Sequence, residues 1–166
     1  RTNKRDLVIS DILTHRAGLK AYIPFWKNTL ENGKPAFNIY HFEKDVNYSV
    51  PVADSMFILK SYPERIWKEI DDSPLQNQGD YVYSDLGMLL MQRIVENISE
   101  QPLDRYLEDH FYRPLGLPRM MYNPLQNKIP LHRIVPTEWD SAFRQQLVHG
   151  YVHDPTSAML GGVAGH

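Results

Sequence analysis

Cysteine is missing from all 166 residues. The chain therefore has no disulfide frame, no thiolate metal ligand and no cysteine nucleophile. That absence selects no compartment, because secreted and cytosolic chains can both lack the residue. An excess of either charge is missing too. Lys plus Arg number 18 and Asp plus Glu 20, a formal net charge of -2. This excludes a basic, phosphate-tracking surface as the main theme, and with it a nucleic-acid partner. No apolar run approaches the roughly 18 residues that cross a bilayer, so no membrane span is expected in this segment. Repeats and low-complexity tracts are also lacking. What remains is a globular balance, with 42% hydrophobic and 23% charged residues, enough for one domain or a large piece of one.

Ser10 to Gly18 reads as a short helix, with Ser10 as N-cap, Asp11 at the positive end of the dipole and Gly18 at the left-handed exit. Pro24 opens a second helical stretch through Leu30, ended by Asn32-Gly33. Residues 34–54 show no clean period and read as a long irregular excursion. Met56 to Leu59 is a short strand candidate. Pro63 to Asp72 reads as a helix with Ile66, Trp67 and Ile70 on one face, an i,i+4 pair of Glu64 with Lys68, and a break at Ser73-Pro74.

The strongest helix is Asp85 to Ser99. Leu86, Leu90, Ile94 and Ile98 recur every four residues, and Leu89, Met91 and Val95 widen the stripe. So broad a stripe predicts burial against several partners. Pro102 starts another helix with Leu103, Tyr106, Leu107 and Phe111 expected inward, stopped at Pro114 to Pro118. Residues 118–145 read as irregular and Leu147 to His153 as a weak strand. Asp154-Pro155 caps a short helix through Met159. The expected fold is mainly α, with long irregular loops and little strand. Aromatic residues in the irregular segments predict surfaces that pack on something further.

Gly79-Asp80-Tyr81-Val82-Tyr83-Ser84-Asp85-Leu86-Gly87 places Tyr83 just ahead of the best helix. Ser84 or Asp85 can serve simply as the helix cap. Alternatively, Tyr83 stands where the positive end of the dipole eases a phenolate, and can relay protons for a neighbouring nucleophile. Local sequence leaves both readings open.

Ile9-Ser10-Asp11-Ile12-Leu13-Thr14-His15-Arg16-Ala17-Gly18-Leu19 resembles the "LLTHTSGL" stretch of the serine β-lactamase-related hydrolases: class C β-lactamases, D-alanyl-D-alanine carboxypeptidases and esterases of the same fold. Tyr83-Ser84-Asp85-Leu86-Gly87 with its apolar helix resembles that family's "YSNxGYxLLGxIIE" segment. Phe111 to Leu117 resembles its "PLGM" exit, and Gly161 to His166 the start of its "aGGLfST" stretch. The order of the four segments matches as well. The resemblance implies the helical region of a larger α+β β-lactamase/transpeptidase-like fold. It also implies a covalent acyl-serine mechanism on a β-lactam, a D-alanyl peptide or an ester, without a cofactor or metal. The implied partners are a small-molecule or cell-wall peptide substrate and the remainder of the parent chain. The implied setting is periplasmic or otherwise extracytoplasmic. Carried over residue by residue, Tyr83 is the proton relay, Asp85 orients the lysine or the substrate, and Ser84 caps the helix and points toward the pocket.

The nucleophile motif of that family, Ser-x-x-Lys, is not among these residues. The nearest approach, Ser141 to Arg144, ends in a guanidinium that stays protonated. The motif precedes the "LLTHTSGL" stretch in the family, so an internal fragment is expected, in keeping with Arg1 at the start and Gly165-His166 at the end. Gly165-His166 is not the third motif, since the stretch it matches precedes a helix. Asp85 stands where the family has Asn. An ionised Asp donates no hydrogen bond and adds a negative charge, which favours esters over β-lactam or peptide carbonyls. His15-Arg16-Ala17 departs from the family's Thr-Ser pair, and His15 reads as a packing and hydrogen-bonding residue. His149 and His153 have i,i+4 spacing but lack a zincin glutamate, and Gly150 argues against a helix. Glu138 and Asp140 are the only hint of a carbohydrate-acting carboxylate pair. A catalytically silent helical interaction module of the same descent is the competing reading. With no nucleophile present, incubation of this chain with a fluorescent penicillin or an activated phosphonate should leave no covalent adduct. A stoichiometric serine adduct in the mass spectrum would overturn the assignment.

Overall fold

The computed structural model describes residues 2–162; of the glycine-rich stretch, Val163 to His166 lie outside them. Helix accounts for 34% and strand for 14%, so the mainly α reading with little strand holds. The buried core nevertheless gathers on a small sheet. Strands β3 (Tyr40–His41), β4 (Tyr48–Ala53) and β5 (Met56–Leu59) form it in the antiparallel order β3-β5-β4. Tyr40, Val52, Ala53, Met56 and Ile58 on it are fully buried.

Most of this sheet lies in the stretch expected to be irregular. The reason is visible in β4. Its pairing with β5 shifts register between Tyr48 and Val50 and again between Pro51 and Ala53. Each shift breaks the period-two pattern by which a strand is recognised. Pro51 is tolerated because β4 is an edge strand, where a missing N–H breaks no ladder. A second correction concerns Asn32-Gly33. Only a 3-10 turn, Phe25–Thr29, follows Pro24. Strands β1 (Leu30–Glu31) and β2 (Lys34–Pro35) then form a hairpin. Asn32 at φ 51° and Gly33 at φ 74° supply the two left-handed residues such a tight turn needs.

Helix α1 (Ile9–Leu13) is shorter than expected, and Ser10 lies inside it without capping it. Its exit turns at His15 (φ 58°) and Gly18 (φ 72°). Helix α2 (Tyr62–Asp72) buries Tyr62, Ile66 and Ile70 against the sheet cluster. Trp67 is half-buried beneath the Arg93 guanidinium, 4.8 Å from the ring centroid. Lys68 pairs with Asp72 and not with Glu64.

Helix α3 runs from Asp85 to Ser99 as expected, but only its first half is buried, through Leu86, Gly87, Leu89 and Gln92. Gly87 faces α1, where an added Cβ would stand 3.3 Å from Ile12 Cγ2. Farther along, Ile98 is 79% exposed. Helix α4 (Leu103–Leu107) and the π-helical turn after it, Glu108–Tyr112, contain no buried residue. Leu103, Tyr106 and Leu107 are half-buried and Phe111 is exposed, so none of the four enters the core. α4 packs against α3, and an apolar stripe alone does not name its partner.

Strands β6 (Glu138–Asp140) and β7 (Gln146–Val148) form a hairpin, where a loop and a longer strand were expected. Its turn is built on Asp140, whose oxygens accept the N–H groups of Ala142, Phe143 and Arg144. Phe143 thereby enters the core beside Tyr40, 5.7 Å between ring centroids. Helix α5 (Pro155–Met159) is capped as expected, with Asp154 accepting from Ser157 N at 2.6 Å, and Met159 is fully buried against the Tyr40 hydroxyl.

Two glycines test this architecture. A Cβ at Gly33 would meet nothing within 4 Å, whereas one at Gly18 would lie 2.6 Å from the Gln76 carbonyl oxygen. Gly33→Ala should cost about 1–2 kcal/mol for its left-handed backbone. Gly18→Ala should cost roughly 1–3 kcal/mol more for the clash. Urea unfolding monitored by circular dichroism separates the two, and equal costs would refute the close approach.

Candidate functional site

The segment after α1 and the segment before α3 are joined by a series of backbone bonds. Gln76 N donates to Gly18 O at 2.7 Å, Gly79 N to Arg16 O at 2.9 Å, Val82 N to His15 O at 2.9 Å and Asp85 N to Ala21 O at 3.1 Å. Two side chains complete the junction. Ser84 N donates to His15 Nδ1 at 3.2 Å, and Ser84 Oγ donates to Lys20 O at 2.7 Å. The His15 ring lies against Tyr83, 4.4 Å between centroids, and edge-on to Tyr81 at 5.9 Å. His15 is thus the packing and hydrogen-bonding residue its position implied. Ser84 is different. It is 2% exposed and makes no side-chain cap bond, and its hydroxyl is committed to Lys20, so it neither caps α3 through Oγ nor points toward the pocket.

The junction delivers Tyr83 and Asp85 to one cleft of about 330 Å³. Tyr83 remains 54% exposed on its wall. Asp85 lies in the first turn of α3, where the helix dipole favours a carboxylate. Met88 and Leu89, one turn on, form the apolar part of the same wall.

The facing wall comes from Tyr22 and from the segment leading into α5, and none of it was legible as a site. Tyr22 Oη accepts from Trp26 Nε1 at 3.1 Å. Burial raises its pKa above the ordinary phenol value, the Trp26 bond works against this, and the Asp154 and Asp85 charges add to the rise. Asp154 and Ser157 line the cleft with Pro155. The Ser157 hydroxyl is buried and has no hydrogen-bond partner among the described residues. Asp154 was recognised only as a helix cap, and no local pattern joins it to residues so far away in sequence.

His153 stands at the rim. Its Nδ1 lies 2.8 Å from Glu138 Oε1, and its carbonyl accepts from Arg144 Nη2 at 3.1 Å. His149 is engaged elsewhere, with Nε2 2.6 Å from Ile134 O. Among the described residues no group of three or more His, Asp or Glu side chains is placed to hold a metal ion. Glu138 is taken up by His153 and Asp140 by the backbone of its turn, so these two carboxylates do not serve as an acid–base pair. Burial draws the Arg144 guanidinium below its ordinary pKa, opposed chiefly by Asp140. What the cleft offers chemically is a phenol beside a carboxylate at the head of a long helix, facing a second carboxylate, with no lysine or arginine among the described residues that line it.

Among the described residues no helix is long and apolar enough to cross a membrane. The family model named Beta-lactamase matches residues 1–159. A "Putative D-alanyl-D-alanine carboxypeptidase" of Escherichia coli (strain K12) is 37% identical over 110 residues, covering 58% of this chain and 25% of that protein. A protein of the same name from Salmonella schwarzengrund (strain CVM19633) is 36% identical, covering 58% of this chain and 26% of the relative. The chain thus spans about a quarter of the length of these curated relatives. No solved structure matches it. With the family's model aligned along nearly the whole chain, and the Tyr83–Gly87 segment at the head of its long helix, the chain belongs to the Beta-lactamase family.

Proposed function

We propose that these residues form the proton-relay wall of a serine hydrolase that works through an acyl-serine intermediate. The observation that supports this is the placement of Tyr83. Its phenol stands half-exposed in a cleft, beside Asp85, on a segment pinned by consecutive backbone bonds to residues 15–21. An exposed aromatic held this firmly makes an unusual choice for a merely structural residue, and rigid placement is what a proton relay requires. The serine of a Ser-x-x-Lys motif, supplied from outside these residues, attacks the acyl carbonyl. Tyr83 Oη takes the serine proton and returns it to the leaving group. Water then adds to the acyl-serine, its proton passes along the same route, and the carboxylic acid product leaves. Asp85 orients the lysine ammonium or a donor group of the substrate.

The substrate class is an ester, a D-alanyl peptide or a β-lactam, acted on outside the cytoplasm. Asp85 favours the ester, because it donates no hydrogen bond to an acyl-amide carbonyl where the family's Asn does. In a protein that joins this segment to Ser-x-x-Lys, Tyr83→Phe should lower the acylation rate about 100- to 10,000-fold. Asp85→Asn should raise amide or β-lactam turnover relative to ester turnover by roughly tenfold, the worth of one recovered hydrogen bond. Stopped-flow acylation with an activated ester and a chromogenic β-lactam reads both. An undiminished rate in Tyr83→Phe would remove the relay role. The catalytically silent module would stand instead if mass spectrometry detected no acyl-enzyme in the wild-type protein.

A further inference from the structure

We infer that a second cleft binds an amphiphilic anion, a carboxylate or phosphate group joined to an apolar chain. This cleft has a volume of about 310 Å³. Among the described residues it shares no lining with the cleft beside Tyr83, so the inference stands apart from the hydrolase reading. Met121, Pro124, Ile129 and Ile134 give it an apolar lining, and Arg119 and Arg133 join them from separate turns. No carboxylate lines it among the described residues. A mostly apolar cleft on which a few polar groups converge is the usual form of a small-ligand site. Among the described residues neither guanidinium has an ion-pair or hydrogen-bond partner.

The charge pattern of the sequence points the same way. Residues 110–137 contain no Asp or Glu, but they contain Arg113, Arg119, Lys128 and Arg133. A chain of net charge -2 is thus at +4 in this stretch and at -6 outside it. The carboxylates that flank the stretch are engaged, Glu108 and Asp109 with Arg113 and Glu138 with His153. A positive cleft with low-dielectric walls concentrates an anion from solution. A guanidinium fork matches two oxygens of a carboxylate or phosphate, and its weak hydration lets it lie against apolar side chains. The backbone beneath the lining is pinned. Gln126 N and Asn127 N donate to Asn123 O at 3.0 and 3.2 Å, and Ile129 N donates to Pro124 O at 3.0 Å. Asn123 Nδ2 donates to Gly161 O at 3.0 Å, and Ile134 O lies 2.6 Å from His149 Nε2. Arg133 sits in a 3-10 turn and its N–H donates to Pro130 O at 2.9 Å. Exposed Leu131 and Val135, two residues to either side of Arg133, add apolar surface next to the charge. Charge and apolar surface held at fixed spacing select both parts of a ligand at once.

The test uses the 166-residue chain and the probes n-hexanoate, acetate, n-hexanol and n-hexylammonium. Each is titrated at pH 7 while amide NMR shifts of residues 119–121 and 131–134 are followed. Hexanoate should give saturable shifts at a concentration roughly fivefold or more below that of any other probe. Arg119→Gln and Arg133→Gln should each weaken hexanoate about threefold or more; both side chains are exposed, so the fold is retained. Arg65→Gln, exposed on α2 and outside the cleft lining, should change nothing. A hexanoate response no tighter than that to acetate or hexanol, or undiminished in both arginine variants, overturns the site. Flotation with vesicles of phosphatidylglycerol or of phosphatidylcholine distinguishes the sources of the anion. Capture by phosphatidylglycerol alone, lost when both arginines are replaced, assigns it to a bilayer lipid. Hexanoate binding without capture assigns it to a free amphiphile. Equal capture by both vesicles overturns recognition by charge. In the protein that includes Ser-x-x-Lys the hexanoate response should persist. Its loss there would make the parent's own chain the occupant and overturn the ligand site.

Discussion

The backbone junction between residues 15–21 and 76–85 is the constraint on which the rest of the site depends. Four main-chain bonds, at Gly18, Arg16, His15 and Ala21, hold two irregular segments together where no regular ladder exists. Irregular backbone at a folded surface is stable only if its polar groups find partners, and here each segment satisfies the other. The register has geometric prerequisites. His15 and Gly18 adopt left-handed backbone, and at Gly18 the Gln76 carbonyl comes too close for any side chain. Ser84 fits the same logic. Its N–H and its hydroxyl both go into the junction, so the residue between Tyr83 and Asp85 anchors the segment from which both reach the cleft wall.

The second wall is hung differently. Asp140 folds the turn of the β6–β7 hairpin, Phe143 plugs that turn into the core against Tyr40, and Arg144 reaches back to the His153 carbonyl. Glu138 on the same hairpin holds the His153 ring. The hairpin thus grips the approach to α5 through main chain and side chain together. Tyr40 connects both systems, since its hydroxyl meets Thr29 and the Met159 sulfur. The three-stranded sheet therefore matters beyond its size. Short strands bury the residues that fix where α5 begins, and with it Asp154 and Ser157.

Legibility in the sequence followed the range of the interactions. α2, α3, β5 and the α5 cap announce themselves through local periodicity and capping, and the structure keeps their bounds closely. β4 was hidden by its two register shifts and by Pro51. The Asn32-Gly33 pair was visible as a break, but the helical reading before it obscured the hairpin. The first wall of the site could be found because Tyr83 and Asp85 are neighbours in sequence. The second could not, because Asp154 has a complete local role as a cap and Ser157 looks like ordinary helix. The exposed apolar residues of α3 and of the turn after α4, Ile98 and Phe111 above all, show the opposite limit. Their pattern states that a partner is needed without stating which.

Asp85 ties these threads together. At the head of α3 a carboxylate is favoured by the helix dipole, so the residue is not a liability to the fold. Its charge is felt in the cleft, where it adds, after burial and Asp154, to the rise of the Tyr22 pKa. The junction takes the backbone N–H of residue 85, which an asparagine there supplies equally. The exchange of Asn for Asp thus leaves that backbone bond in place and changes the charge of the cleft wall. A carboxylate in the first turn of α3, next to Tyr83 in the chain, thus sets the charge of a wall that both residues line.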